Sequence, residues 1–526
     1  MTATTRAVWL FLVVLTGIRL TLIGTTDLSF DEAHYWMWSD RLAPAYFSKG
    51  PGVAFAIWSS TAIFGDTEFG VRFWSPVLAA GTSLLLYYLA RRLFSEGTGF
   101  WTVIALNVTP IFNVGSFVMT IDPLSIFFWA AAMFTCWLAL ERSPEFSWYW
   151  PATGALIGLG FLCKYTNALQ LVCIVVVLAL VPRFRREFFG GGFYAMLGTF
   201  VLFTIPPIIW NQQHAWATLF HLQERGALDE TPGFRPLELL SFLGLHFIIY
   251  SPLVFLGLVW AVTRSWRRAH QQFKGTFLIW SGMPVFILYF VLSINKAANP
   301  NWDGLAFLSL GILAASYWRE KLESRPNMRR WAGVALALGL LMSLPALNSD
   351  LLRSAGFEAW RRDPADRMRG WESAANAVEK MRGEIETQLG ERVFMIADGR
   401  DRASEFAFYF RDKRAEGPGH PPVYIIESQA IVNQFSFWPR YDEFVAAPPG
   451  RPAAEGDVYT EQDGVNLFEG RTAMYIQGND KTEAARNIRA AFASVDHHAT
   501  IEVARYGKVI RRLQVFICRN YRTLPL

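Results

Sequence analysis

The sequence predicts an α-helical polytopic membrane protein carrying a C-terminal α/β soluble domain. Of its 526 residues 52% are apolar and 15% aromatic, while only 18% are charged, which is too apolar for a set of soluble domains. Uninterrupted apolar runs, long enough to cross roughly 30 Å of hydrocarbon, recur along the first two thirds of the chain. Beyond residue 348 the hydropathy falls and helix-like and strand-like stretches alternate.

The runs lie near 7–24, 70–90, 99–117, 122–140, 148–163, 166–182, 191–210, 240–262, 275–294, 301–318 and 330–347, about eleven spans. The first follows Arg6, holds Arg19 within it and has no small-residue cleavage site behind it, so it reads as a retained span. With the N-terminus cytoplasmic, the cytoplasmic loops collect Arg91 and Arg92; Arg142; Arg183, Arg185 and Arg186; Arg264, Arg267, Arg268 and Lys274; then Arg319, Lys321, Arg325, Arg329 and Arg330. The opposite loops offer only isolated cations, and this asymmetry sets the orientation. It also accounts for the net charge of +5 without a nucleic-acid partner. The four cysteines, Cys136, Cys163, Cys173 and Cys518, form neither a zinc pattern nor a disulfide framework.

An odd number of spans delivers the tail to the outer side. Two domains are therefore expected: 1–348, a transmembrane catalytic domain with a large first outer loop at 25–69, and 349–526, a non-cytoplasmic α/β domain. Within the latter the pattern predicts a polar helix at 364–389, strands at 392–397, 423–427 and 473–477, a helix at 403–410 and a Pro/Gly-rich connector at 446–456.

Ionisable groups beside the bilayer are costly and mark function. The first outer loop is aromatic-rich and too long for a connector. Read as a helix, its Ser29-to-Trp38 stretch puts Asp31, His34, Tyr35 and Trp38 on one face, with Glu32 pointing elsewhere. Ser29 and Glu32 also spell a capping box, and Asp31 in a first turn complements the helix dipole. Asp122-Pro123 opens the fourth span and reads equally as an N-cap or as a second carboxylate at the same face. Lys49, Lys164 and Lys296 lie at that face too; each alone is an ordinary snorkelling lysine. As a set opposite two acids they suit a site that holds a phosphate while a carboxylate takes a proton or holds a cation.

The stretch Phe30-Asp31-Glu32-Ala33-His34-Tyr35-Trp36, the loop at 46–51, Phe64-Gly65-Asp66-Thr67-Glu68-Phe69-Gly70-Val71-Arg72 and Asp122-Pro123-Leu124 resemble the bacterial family 39/83 glycosyltransferases. These are relatives of the protein O-mannosyltransferases and the lipid A aminoarabinose transferases. The similarity continues through Lys164-Tyr165-Thr166, Trp210-Asn211 with Arg225, and Asn299-Pro300-Asn301-Trp302, then weakly into Ala403-Ser404-Glu405-Phe406-Ala407-Phe408-Tyr409.

The resemblance implies a GT-C membrane fold of about 11 to 13 spans, a polyprenyl-phosphate-linked sugar donor, and a lipid, glycan or protein acceptor at the periplasmic face of a bacterial inner membrane. It further implies Asp31 as the catalytic carboxylate, Asp122 as the second acidic position and Lys49 as the basic residue near the carrier phosphate. Glu32, His34, Tyr35, Lys164, Arg225, Lys296 and Trp302 complete the expected substrate-binding set. A divalent cation is left open, with Asp31, Glu32 and Asp122 its candidate ligands. Ser48 departs from the aminoarabinose transferases, which carry an acidic residue before the lysine.

Physical logic runs the same way. A glycosyl phosphate already carries its leaving group, so catalysis needs charge stabilisation and placement of the nucleophile. With a hydroxyl acceptor Asp31 serves as general base, and a single displacement inverts the anomeric centre. The alternative, a transporter or flippase of lipid-linked sugars, calls for midplane charges in broken helices and inverted repeats.

Overall fold

The computed structural model of the chain describes residues 1–225, 233–299, 301–347, 350, 364–414, 416, 419, 421–442 and 466–526. The expected connector at 446–456 lies outside the described residues.

The first half is a series of helices: α1 (Ala3–Leu22), α2 (Phe30–Ser39), α3 (Gly52–Phe64), α4 (Glu68–Arg72), α5 (Trp74–Leu93), α6 (Glu96–Asn107), α7 (Pro110–Gly115), α8 (Ile121–Glu141), α9 (Tyr149–Cys163), α10 (Leu169–Leu180), α11 (Gly191–Gln213) and α12 (Ala217–Arg225). They continue with α13 (Pro236–Ile249), α14 (Pro252–His270), α15 (Phe273–Trp280), α16 (Met283–Leu292), α17 (Ala306–Ser324) and α18 (Arg329–Leu347). Then come α19 (Trp371–Leu389), β1 (Phe394–Ala397), α20 (Arg400–Tyr409), β2 (Tyr424–Ile425), β3 (Ala473–Gln477), α21 (Arg486–Ala491), β4 (Phe492–Arg505) and β5 (Lys508–Tyr521).

Each apolar run coincides with helix, yet the runs at 99–117, 240–262 and 275–294 are each broken into two helices. Among the described residues five stretches are long and apolar enough to cross a membrane: α1, α4 with α5, α8, α11, and α15 with α16. The pair α13 and α14 makes a sixth if taken as one span.

That pair corrects the expectation of a single helix over 240–262. Its halves meet at 111°. Pro252 has no N–H to offer the preceding turn and its ring excludes helical backbone before it. Ser251 answers with φ +69°, unusual for a residue bearing a Cβ. The expected 99–117 span likewise breaks, at Thr109-Pro110, where α7 begins on a proline. The short apolar helix α3 inside the first loop was not anticipated.

The chain divides into two compact units, Met1–Gly24 with Leu42–Arg361, and Thr25–Arg41 with Arg362–Leu526. In the first, the core gathers Trp129, Trp137 and Trp150, all fully buried, with Phe277, Leu278 and Ile279 of α15 and Ile312 of α17. The stretch Thr25–Arg41, expected as part of the membrane domain's loop, groups with the second unit.

The second unit holds a mixed five-stranded sheet in the order β2-β1-β3-β5-β4. β1 runs parallel to β2 and β3 (Phe394 opposite Ala473), β3 runs antiparallel to β5, and β4 and β5 form a hairpin. The hairpin turns on Tyr506-Gly507, both at positive φ, as a two-residue primed turn requires. The expected strands at 392–397, 423–427 and 473–477 appear, the first two trimmed; the expected helix at 403–410 starts earlier, at Arg400. The polar helix at 364–389 is a short 3-10 turn, Pro364–Met368, and then α19, divided at Gly370 (φ +77°).

Candidate active site

In the second unit, α2 begins with the capping box the sequence spells. The Ser29 backbone N–H and hydroxyl both donate to Glu32 Oε2, at 2.9 and 3.0 Å. Glu32 is fully buried, and its carboxylate closes its own helix start. Asp31, one position earlier, is half-buried.

Tyr35 and Trp38 meet edge to face at 4.9 Å, and His34 meets Trp38 at 5.2 Å. The His34 ring also stacks on Phe435, and its Nδ1 lies 3.0 Å from the Ser404 hydroxyl of α20. Burial, with the charge of Arg400 behind it, holds the imidazole neutral and pushes its pKa down to about 3. α2 is pinned at its start as well: the Leu28 N–H donates to the Tyr409 hydroxyl at 2.7 Å and the Trp371 N–H to Asp27 at 2.6 Å.

The remaining predicted residues belong to the first unit. Asp122 is not the N-cap of α8. Thr120 caps that helix, accepting from the Asp122 N–H at 3.3 Å. The carboxylate is thereby left to side chains: Lys164 Nζ donates to Oδ1 at 2.8 Å and Asn301 Nδ2 to Oδ2 at 2.9 Å. Lys164 directly follows α9 and is mostly buried. Lys49 is a further positive charge within electrostatic reach of Asp122.

Two glycines bring the Lys49 loop there. Gly50 lies against the Leu162 backbone and Gly52 against Cys163, at distances no Cβ could tolerate. The loop that carries Lys49 is therefore laid on the end of α9, immediately before Lys164. The Tyr46 N–H donates to the Lys49 carbonyl at 2.9 Å, closing the turn, and Thr218 of α12 donates to the Tyr46 carbonyl at 3.3 Å.

A recess of about 230 Å³ is lined by Arg225, Lys296, Asn299 and Trp302, with Leu292, Ala297 and Ala298. The Arg225 guanidinium sits 5.2 Å over the Trp302 ring, which makes a cation–π floor. Asn301 and Trp302 are adjacent, so one short segment serves both the Asp122 cluster and this recess. Two residues that sequence reading passed over lie behind it. Asp303 and His246 of α13 are completely buried and meet at 2.9 Å. A lone histidine in an apolar run and an aspartate beside a helix start gave no signal of their pairing.

Among the described residues no three His, Cys, Asp or Glu side chains are grouped to hold a metal ion. In the first unit, the arrangement offers an anion the mostly buried Lys164, held by Asp122, with Lys49 in electrostatic reach, and the exposed Arg225 and Lys296 on the recess.

Residues 48–210 match the family described as dolichyl-phosphate-mannose-protein mannosyltransferase. The chain is 25% identical over 389 residues to the lipid A galacturonosyltransferase RgtD of Rhizobium johnstonii, a match covering 74% of this chain and 78% of that one. It is 27% identical over 308 residues to the undecaprenyl phosphate-alpha-4-amino-4-deoxy-L-arabinose arabinosyl transferase of Edwardsiella ictaluri, covering 55% of this chain and 52% of that one. It thus spans about half the length of that second relative. The crystal structure of ArnT from Cupriavidus metallidurans in the apo state aligns over 98% of both chains with a TM-score of 0.62 at 16% identity. The same protein bound to undecaprenyl phosphate aligns over 98% of both with a TM-score of 0.60. In its motifs, in the family match over residues 48–210 and in its architecture, this chain is similar to the GT-C glycosyltransferases of the family 39/83 kind.

Proposed function

We propose that the protein transfers a sugar from a polyprenyl-phosphate carrier to a lipid A-class acceptor at the periplasmic face of a bacterial inner membrane. In this proposal residues 1–348, apart from the Thr25–Arg41 stretch that groups with the second unit, form the membrane catalytic domain, with about 11 to 13 spans, and 349–526 the periplasmic α/β domain. The observation that carries the reading is the cluster of Lys164, Asp122 and Asn301, with Lys49 in electrostatic reach, next to the recess of Arg225, Lys296 and Trp302. Such a set is built to receive a phosphate monoester.

In this reading an acceptor oxygen attacks the anomeric carbon and forms the new glycosidic bond. The bond from that carbon to the phosphate oxygen breaks, its electron pair staying on the departing polyprenyl phosphate. Lys49, Lys164 and Arg225 compensate that charge, and Asp31 takes the acceptor's proton. One displacement inverts the configuration. Asp122 holds Lys164 toward the phosphate rather than moving protons itself, and Glu32 serves as helix cap. The galacturonosyl and arabinosyl transferases among its relatives support transfer and leave the transporter alternative without support.

The test is Asp31→Asn in the full-length protein reconstituted with undecaprenyl-phosphate sugar and lipid A. Loss of a general base predicts a fall in kcat of about 10²–10⁴-fold with carrier binding retained. Unchanged kcat would remove Asp31 from the chemistry.

A further inference from the structure

We infer that the buried His246–Asp303 pair is a charge-neutral latch that positions Asn301 and Trp302 in the carrier-phosphate site. The inference rests on the reading of Asp122, Lys164 and Arg225 given above. His246 Nδ1 lies 2.8 Å from the Phe242 carbonyl, which only accepts, so Nδ1 carries a proton. Nε2 lies 2.9 Å from Asp303 Oδ2, and that contact also needs a proton between its atoms. The pair therefore holds two protons and no net charge, whichever partner owns the second. That is the form in which an acid and a histidine survive burial among Phe242, Tyr250, Phe255, Phe286 and Phe307.

The latch joins elements distant in sequence. His246 occupies the last turn of α13, just before the 111° corner into α14. Asp303 closes the segment before α17, where the Trp302 N–H donates to the Asn299 carbonyl and the Ala306 N–H to the Asp303 carbonyl, both at 2.9 Å. The start of α13 grips the same connection, with Arg235 N–H donating to the Ile294 carbonyl and Glu238 accepting from the Ala297 N–H. Held at both ends by α13, the segment has little freedom left except to present Asn301 to Asp122 and Trp302 to Arg225. His246 and Asp303 are positioning residues; neither touches the reacting atoms.

A double-mutant cycle in the full-length protein tests this. Asp303→Asn can still donate to His246 Nε2 without charge, so it retains kcat/KM within about threefold. His246→Gln strands a carboxylate without its compensating proton and lowers kcat/KM about 10²-fold, mainly through the KM for the polyprenyl-phosphate donor. His246→Gln with Asp303→Asn restores a neutral amide pair and regains at least about tenfold over His246→Gln. Should His246→Gln fail to accumulate, the double variant compared with Asp303→Ala makes the same comparison. Asp303→Asn as inactive as Asp303→Ala, or His246→Gln with unchanged KM, would overturn the latch. Thermal unfolding of the unliganded variants is followed in parallel. If the parent neither binds undecaprenyl phosphate nor transfers sugar, the proposed function fails. The rescue of stability in the double variant still reports on the pair.

Discussion

His34 shows what packing does to a titratable side chain on an amphipathic face. The sequence places it beside Asp31 on an amphipathic face, and the structure buries its ring between Phe435, Trp38 and the Ser404 hydroxyl. Its pKa falls from 6.5 to about 3 on folding, so below pH 6.5 the unfolded chain takes up a proton that the folded chain refuses. Stability therefore declines as pH drops through that window, by up to about 1.4 kcal/mol per unit. Unfolding midpoints at pH 7.5 and 5.0 should fall further for the parent than for His34→Gln; parallel curves would refute the assignment. The helix of the first loop was legible because Ser29 and Glu32 spell its capping box. Asp122 was only half legible: its position was informative, but Thr120 took the capping role and freed its carboxylate. His246 and Asp303 were not legible, since each looks ordinary until folding closes the 57 positions between them.

At the level of elements, hydropathy reports where helices lie but not where they break. Breaks depend on single residues, Pro110 and Pro252 above all, and on neighbours that accept the corner. Ser251 sits at that corner fully buried, with φ +69°, and its hydroxyl has no partner among the described residues. Ser251→Gly should raise stability by about 1 kcal/mol, as relief of backbone strain and of a buried hydroxyl outweighs glycine's entropy. Ser251→Val should lower it, and detergent-solubilised thermal unfolding distinguishes the two. The β4–β5 hairpin was missed for the opposite reason. β4 is exposed along most of its length, and its alternation, Ala499, Ile501 and Val503 against Thr500 and Glu502, is short and follows the polar run Asp496-His497-His498. Tyr506-Gly507 was the available signal, a turn that needs positive φ at both positions.

For the molecule as a whole, charge asymmetry alone predicts on which side of the membrane the sheet resides. The hairpin tip offers a direct check, because Tyr506 is exposed and all four native cysteines are buried. Tyr506→Cys should react with a membrane-impermeant maleimide in cells whose outer membrane has been permeabilised, while the parent stays unlabelled. Labelling that requires lysis of the inner membrane would reverse the topology. Overall architecture was the most legible feature, since solvent preference is written in every residue of a span. The partition of the first loop was not, because the choice of partner for Thr25–Arg41 is made by side chains more than 300 positions away, Ser404 and Tyr409 among them.

That partition has a further consequence. The second unit is assembled from two separate pieces of chain, the shorter one encoded ahead of nearly all the helices of the first. A recombinant fragment starting at Arg362 would lack the α2 segment that fills its own interior, and would need it supplied in trans. In biosynthesis, the early segment emerges long before its partner and must wait through the insertion of almost the whole first unit. The two units are thus obliged to be inherited together, since no single recombination point separates them.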